Sequence, residues 1–295
     1  MNFLNKLLFL LVPVLSHLPV KGLYALADFI QFLMYYVVKY RKSVVFDNLK
    51  KSFPEKTEQE IRTIAKQFYR NFADIIVEQL RLRTMTHEEA LNVVHFDNYA
   101  LLEKYFNEGK NVIAVAGHTG NWEWLGAMAL VEHTPFRVIV AAKPQTNKGF
   151  SNYIFNIRKR FGAEVISFKH TFKAVLKKTD KPTITLLVAD QSPTKQSIEF
   201  WTPFLHRETP VFLGPEKMAV YLNCPVVYIN SQRIKRGQYN LEVIPICEHP
   251  RLLPEYEITK IHVKLLEQAI HKHPDNWLWS HKRWKHKKNE ARINA

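Results

Sequence analysis

VIAVAGHTGNWEWL, Val112 to Leu125, is the stretch whose reading decides the fold. Five apolar residues, Val112 to Ala116, form a run short enough and branched enough for a buried strand. Gly117 ends it, and His118, Thr119, Gly120, Asn121, Trp122 and Glu123 follow before a helical pattern begins. The polar cluster therefore sits at the carboxyl end of a strand, the edge of an open α/β sheet where ligands bind. On one continuous helix, His118 and Glu123, five residues apart, would point away from each other. A turn through Thr119 and Gly120, with Asn121 capping a new helix, lets the carboxylate approach the imidazole.

Outward from this stretch, strand-like runs alternate with helical ones. Arg137 to Ala142, Glu164 to Ile166, Thr183 to Ala189, Val226 to Asn230 and Leu241 to Ile246 read as further strands. Asn121 to Val131, Phe150 to Arg160, Thr171 to Lys178, Pro215 to Leu222 and Ile258 to His271 read as helices. That alternation predicts an α/β layered fold with a largely parallel central sheet flanked by helices. Upstream, Ile61, Ile64, Phe68, Phe72, Ile75 and Ile76 recur at helical spacing, and Thr57 with Glu60 makes a capping box. We expect three regions: a hydrophobic anchor over 1–38, a helical region over 39–110, and an α/β core with a basic tail over 111–295.

The anchor expectation rests on two apolar runs. Leu7 to Val20 carries no full charge but is broken by Pro13 and Pro19, and Gly22 to Val38 is interrupted only by Asp28. Each is shorter or less clean than the roughly 20 apolar residues of a bilayer crossing. No cleavage site marks a signal peptide. Lys39, Arg41 and Lys42 follow at once, suiting the cytoplasmic side of a membrane.

The 295 residues suffice for a sizeable core, with 46% hydrophobic content. The excess of 42 Lys plus Arg over 27 Asp plus Glu gives +15 and favours an anionic partner. Cys224 and Cys247 form no CxxC pair and read as buried small side chains. There is no Walker loop, no dinucleotide fingerprint, no GxSxG, and no histidine spacing of the HExxH kind. We expect no metal, no resident cofactor and no nucleic acid partner.

The His118 and Glu123 pair suits acyl transfer to an alcohol: the imidazole takes the hydroxyl proton while the carboxylate fixes its tautomer and steadies the imidazolium. On spacing alone, H-x₄-E equally fits a loop histidine beside a helix-start glutamate. HTGNWE in this place resembles the HX₄(D/E) block of the lysophospholipid acyltransferase superfamily. The wider match is similar to its lipid A biosynthesis branch. RKSVVFDNLKKSFPE at Arg41 to Glu55, KPQTNKGFSNYIFNIRKRFGAEVI at Lys143 to Ile166, ADQSP at Ala189 to Pro193, FLGPEKMA at Phe212 to Ala219 and WLWSHKRWK near the end resemble further blocks in similar order.

The resemblance implies a glycerolipid-acyltransferase-like fold and an O-acyltransferase anchored in an inner membrane, its catalytic domain on the cytoplasmic face. It implies an acyl carrier protein thioester, or acyl-CoA, as donor co-substrate and a phosphorylated glycolipid, a lipid A precursor, as acceptor. A lysophospholipid, an aminolipid or another glycolipid is the alternative acceptor, and a non-enzymatic basic membrane scaffold the alternative class. His118 and Glu123 would be catalytic. Arg158 and Arg160 would meet acceptor phosphate or sugar, or simply form a solvated helix face. Asp190 and Gln191 would orient the acceptor, hold the loop, or only turn the chain. Asn121 would cap a helix and could touch substrate. Lys143 stands where the family often has arginine, so a bidentate phosphate contact is lost there. Phe200, Trp201, Phe204 and Phe212 would line an acyl groove or fill the core. The basic, Trp284-bearing tail would suit an anionic interface.

Overall fold

The computed structural model describes residues 12–142 and 155–288. Its centre is a seven-stranded sheet in the order β1-β9-β8-β2-β5-β3-β4. The strands are β1 Val94–Asp97, β2 Val112–Ala116, β3 Arg137–Ala142, β4 Glu164–Ser167, β5 Thr183–Val188, β8 Val226–Lys235 and β9 Gln238–Cys247. Every neighbouring pair is parallel except β8 and β9, which form an antiparallel hairpin. Strands β6 Phe200–Phe204 and β7 Arg207–Val211 make a separate antiparallel pair.

Both faces of the sheet are covered, so its central strands are buried and mainly apolar, their side chains alternating between two cores. On β2, Val112, Ala114 and Ala116 enter one core while Ile113 and Val115 enter the other. On β5, Ile184 and Leu186 face the first core, and Leu187 and Ala189 face the second.

The helices are α1 Val20–Phe32, prolonged by a π turn Leu33–Val37, then α2 Lys42–Ser52, α3 Glu58–Arg81, α4 His87–Val93, α5 Ala100–Asn107, α6 over 122–133, α7 Phe168–Val175, α8 Gly214–Leu222 and α9 Glu257–Lys272. The capping box at α3 forms: Glu60 N–H donates to Thr57 Oγ1, and Thr57 N–H to Glu60 Oε2 at 2.8 Å. Helix α6 opens with Trp122–Trp124, loosens into a π turn over Leu125–Ala129 and closes with Leu130–His133. The expected helix Phe150 to Arg160 falls partly outside the described residues; 155–159 of it are helical.

All six strands read from the sequence are present. Three further ones are β1, in which His95 and Asp97 break any apolar run, and the pair β6 and β7, in which Pro203 and Pro210 mask the pattern. Among the described residues no helix is long and apolar enough to cross a membrane. Helix α1 packs Leu23 and Ala27 against Ala73 and Val77 of α3, while Asp28 pairs with Arg236. Its opposite face leaves Phe29, Phe32, Tyr36, Val37 and Val38 47 to 68% exposed.

Candidate active site

The register of two parallel strands brings the central pair together. Ala116 of β2 lies opposite Val188 of β5, so His118 and Asp190 each stand two residues beyond a matched pair, at the same carboxyl edge. The Asp190 side chain accepts from the His118 backbone N–H through Oδ2 at 2.9 Å and meets the imidazole Nδ1 through Oδ1 at 2.5 Å. A third donor, the Trp277 indole N–H, reaches Oδ2 at 2.7 Å. Burial alone would disfavour the charged carboxylate, but the histidine beside it and these N–H groups outweigh burial and hold Asp190 well below the usual carboxylate range. An ionised Asp190 accepts the Nδ1 proton. That leaves the Nε2 lone pair outward, 3.1 Å from the amide nitrogen of the exposed Gln191.

The turn that presents His118 is made by two close approaches. A Cβ on Gly117 would stand 2.6 Å from Leu266 Cδ1, and one on Gly120, where φ is +53°, would stand 2.6 Å from the Ser231 carbonyl oxygen. A strap from the chain's end fastens this turn. Thr119 bridges to Trp277, Gly120 N–H donates to the Asn276 carbonyl, and Leu278 N–H donates to the His118 carbonyl. Further along the strap, His281 Nε2 accepts from the Ser192 N–H and His286 Nε2 donates to the Pro193 carbonyl, fixing the loop that carries Gln191.

Glu123 does not hold the imidazole, which corrects the expectation that it fixes the His118 tautomer. Its carboxylate is taken by Arg158 through Nε at 3.1 Å and Nη2 at 2.8 and 2.9 Å, and by the Trp122 indole N–H at 3.2 Å. The physical reason is placement: Glu123 lies one residue inside α6, on the far side of the Trp122 ring, whose centroid is 5.3 Å from that of His118. Both members of the Glu123–Arg158 pair keep some exposure, 11% and 19% of their side chains.

Asn121 is buried and fully engaged. Its Oδ1 caps α6 by accepting from Trp124 N–H at 2.9 Å, and its Nδ2 donates to Glu78 Oε2 at 2.7 Å. Substrate contact through its side chain is therefore closed off, and the capping expectation stands. Glu78 also accepts from the Tyr24 and Tyr239 hydroxyls, and its burial raises its pKa despite those donors. Arg160 points its Nη1 at the Leu82 and Met85 carbonyls, closing the end of α3, which uses that nitrogen for structure rather than for a ligand. Lys143 lies outside the described residues. Phe204 packs in the core against Trp277 and Trp284, Phe200 stacks on Tyr256 and Phe212 meets Phe168 edge-on, so three of the four connection aromatics pack within the protein. Trp277 and His281 were visible in the WLWSHKRWK block, but nothing in their spacing pointed back 87 and 89 residues to Asp190 and Ser192.

A buried carboxylate, an oriented imidazole and an outward Nε2 form a general-base arrangement. Two comparisons bear on what it serves. A family model described as bacterial lipid A biosynthesis acyltransferase matches residues 3–286, nearly the whole chain. Comparison with curated proteins finds no match.

Proposed function

We propose, from the premise that the chain belongs to the bacterial lipid A biosynthesis acyltransferase family, that it moves a fatty acyl chain from an acyl carrier protein thioester to a hydroxyl of a lipid A precursor. An acyltransferase it is by that membership; the donor, the acceptor and the base are the reading added here. The observation that carries it is the commitment of His118 Nδ1 to Asp190, which leaves Nε2 as a basic atom directed toward the exposed Gln191.

In this reading the acceptor hydroxyl displaces the Gln191 amide from His118 Nε2. Its proton passes to Nε2 as the oxygen bonds to the thioester carbonyl carbon. The tetrahedral adduct then collapses, the carbon–sulfur bond breaks, and the departing thiolate takes the proton back from Nε2. Asp190 steadies the transient imidazolium. Gln191 marks where the hydroxyl enters. Glu123 holds Arg158 at the rim, and that guanidinium, backed by a carboxylate on one edge, is assigned to the acceptor's phosphate or sugar. No resident cofactor takes part in these steps. The exposed apolar face of α1 would seat the enzyme on the cytoplasmic face of the inner membrane, beside its lipid acceptor.

The test is purified full-length protein with an acyl carrier protein donor and a lipid A precursor, product read by mass spectrometry. The reading expects an O-acylated acceptor in the native protein and none above background in His118→Ala. Acylation of a lysophospholipid but not of the lipid A precursor would overturn the acceptor, and full activity in His118→Ala would overturn the mechanism.

A further inference from the structure

Away from His118, on the other side of the C-terminal strap, a cleft of about 920 Å³ opens between α2, the turn joining β6 to β7, and residues 282–288. Its cations are Lys51, Arg207, Lys282, Lys285, Lys287 and Lys288, and its carboxylates are Asp47 and Glu208. Six against two leaves an excess of four positive charges in one concavity. Lys51 is matched by Asp47 and Lys288 by Glu208. Lys282, Lys285 and Arg207 have no ion pair among the described residues.

Arg207 is the informative member. It sits over the Trp284 ring, 3.1 Å from the guanidinium carbon to the ring centroid, and its Nη2 donates to Ser52 Oγ and the Asn48 carbonyl. Its Nε is buried and has no hydrogen-bond partner among the described residues. Burial pushes its pKa down to about 10, only partly opposed by Asp47 across the cleft. Arg233 and Arg236 contrast with it, since both rest on Asp74 and their pKa values are raised, whereas the buried Arg283 resembles it in having no ion pair among the described residues and in being pushed down to about 10. A fixed, desolvated guanidinium without a carboxylate is costly to keep, and an anion arriving through the cleft would offset that cost.

We propose that this cleft is a binding site for a phosphate monoester borne by a lipid headgroup, with Arg207, Lys282 and Lys285 as its cationic contacts. The volume is that of a small-molecule site. Ser43 and Val44 of its wall follow within a few residues the exposed Tyr36, Val37 and Val38, so the cleft adjoins the part of the surface suited to acyl chains. It is linked to the reaction centre through the strap, because His286, which lines it, holds the Pro193 carbonyl two residues from Gln191. The choice of a lipid-borne phosphate rests on reading the enzyme as one of phosphorylated lipids; the binding itself needs no turnover.

The test uses full-length protein in detergent and measures binding of phosphatidic acid in micelles, with phosphatidylcholine as control and inorganic phosphate as competitor. The proposal expects phosphatidic acid to bind well above phosphatidylcholine, roughly tenfold or more weaker binding in the double variant Lys282→Gln, Lys285→Gln, a similar loss in Arg207→Lys, and unchanged binding in His118→Ala. That last variant separates failure of the cleft from failure of the acyl-transfer reading. Inorganic phosphate binding as tightly as the lipid, and lost in the same variants, would support the site and assign its source to free phosphate. Equal binding of both lipids, or phosphatidic acid binding untouched in the lysine and Arg207 variants, would overturn the proposal. So would an acidic carrier protein alone losing affinity in those variants.

Discussion

On the Asp190 side of the His118 turn, three N–H donors converge on one buried carboxylate, whereas on the Glu123 side a more exposed carboxylate is saturated by a guanidinium and an indole. Both acids lie near the same histidine, and they act on different neighbours. Asp190 reaches it because parallel strands β2 and β5 end level with each other, although 72 residues separate the two. Glu123 is five residues away and is turned aside by the start of α6. Neighbouring strand ends, rather than neighbouring sequence positions, decide which acid orients the base. The two sides also differ in what they leave available: Asp190 has its oxygens filled from within the fold, while the Glu123–Arg158 pair faces the rim.

The largest effect expected from this difference is in Asp190→Asn. An amide cannot balance an imidazolium and permits the wrong tautomer, so kcat/KM should fall by roughly 10²–10⁴, close to the loss in His118→Ala. The fall should lie in kcat with KM little changed, measured by steady-state acyl transfer. Activity in Asp190→Asn within a few-fold of the native protein would erase the distinction between the two sides.

A smaller effect, of about 10-fold to 100-fold, is expected for Glu123→Gln, through release of Arg158 and about 1.5–3 kcal/mol of charge-assisted hydrogen bonding. It should appear mainly in KM for the acceptor. Arg158→Gln in the same background should add little, because the two residues act as one unit. A Glu123→Gln variant that lost kcat alone, as Asp190→Asn is expected to, would place Glu123 at the reacting atoms instead.

A conformational effect is expected from Gly120→Ala. Its Cβ would meet the Ser231 carbonyl at 2.6 Å with φ at +53°, which should lower the melting temperature by several degrees and loosen the turn under both acids. An unchanged melting temperature would show that the strap does not hold the turn as tightly as its hydrogen bonds indicate.

The smallest effect concerns pH. Burial pushes His262 and His281 down to about 4, so both are neutral in the fold where an unfolded chain would titrate near 6.5. Their contribution to stability is full above about pH 6.5 and is lost as pH falls toward 4, because the unfolded chain binds protons first. The melting temperature should therefore drop between about pH 7 and pH 5, and less steeply in His281→Gln, which can no longer gain a proton there. An equal drop in both proteins would remove His281 from the strap's account.

Much of this was legible before any coordinates. Short runs rich in Val and Ile marked six strands, and the Thr57 capping box marked the start of α3. His118 was legible because it follows an apolar strand run and opens HTGNWE, which resembles the HX₄(D/E) block. The partner of His118 was not, since only strand order places Asp190 beside it, and order is fixed by packing of both sheet faces rather than by local pattern. The antiparallel β8–β9 hairpin escaped for the same reason: both strands read simply as apolar runs. Asn121 read as a cap, but its tie to Glu78 depends on α3 crossing beneath α6, and no spacing encodes that. The strap's aromatic and basic letters suggested a surface, whereas Trp277 and Trp279 are buried and Trp277 donates to Asp190.

The central claim, that the Nδ1 proton of His118 belongs to Asp190, is tested most directly by proton NMR of the full-length protein in detergent. A strongly downfield imidazole N–H resonance is expected that persists in Glu123→Gln and disappears in Asp190→Asn and in His118→Ala. A resonance that survived Asp190→Asn and vanished in Glu123→Gln would contradict it.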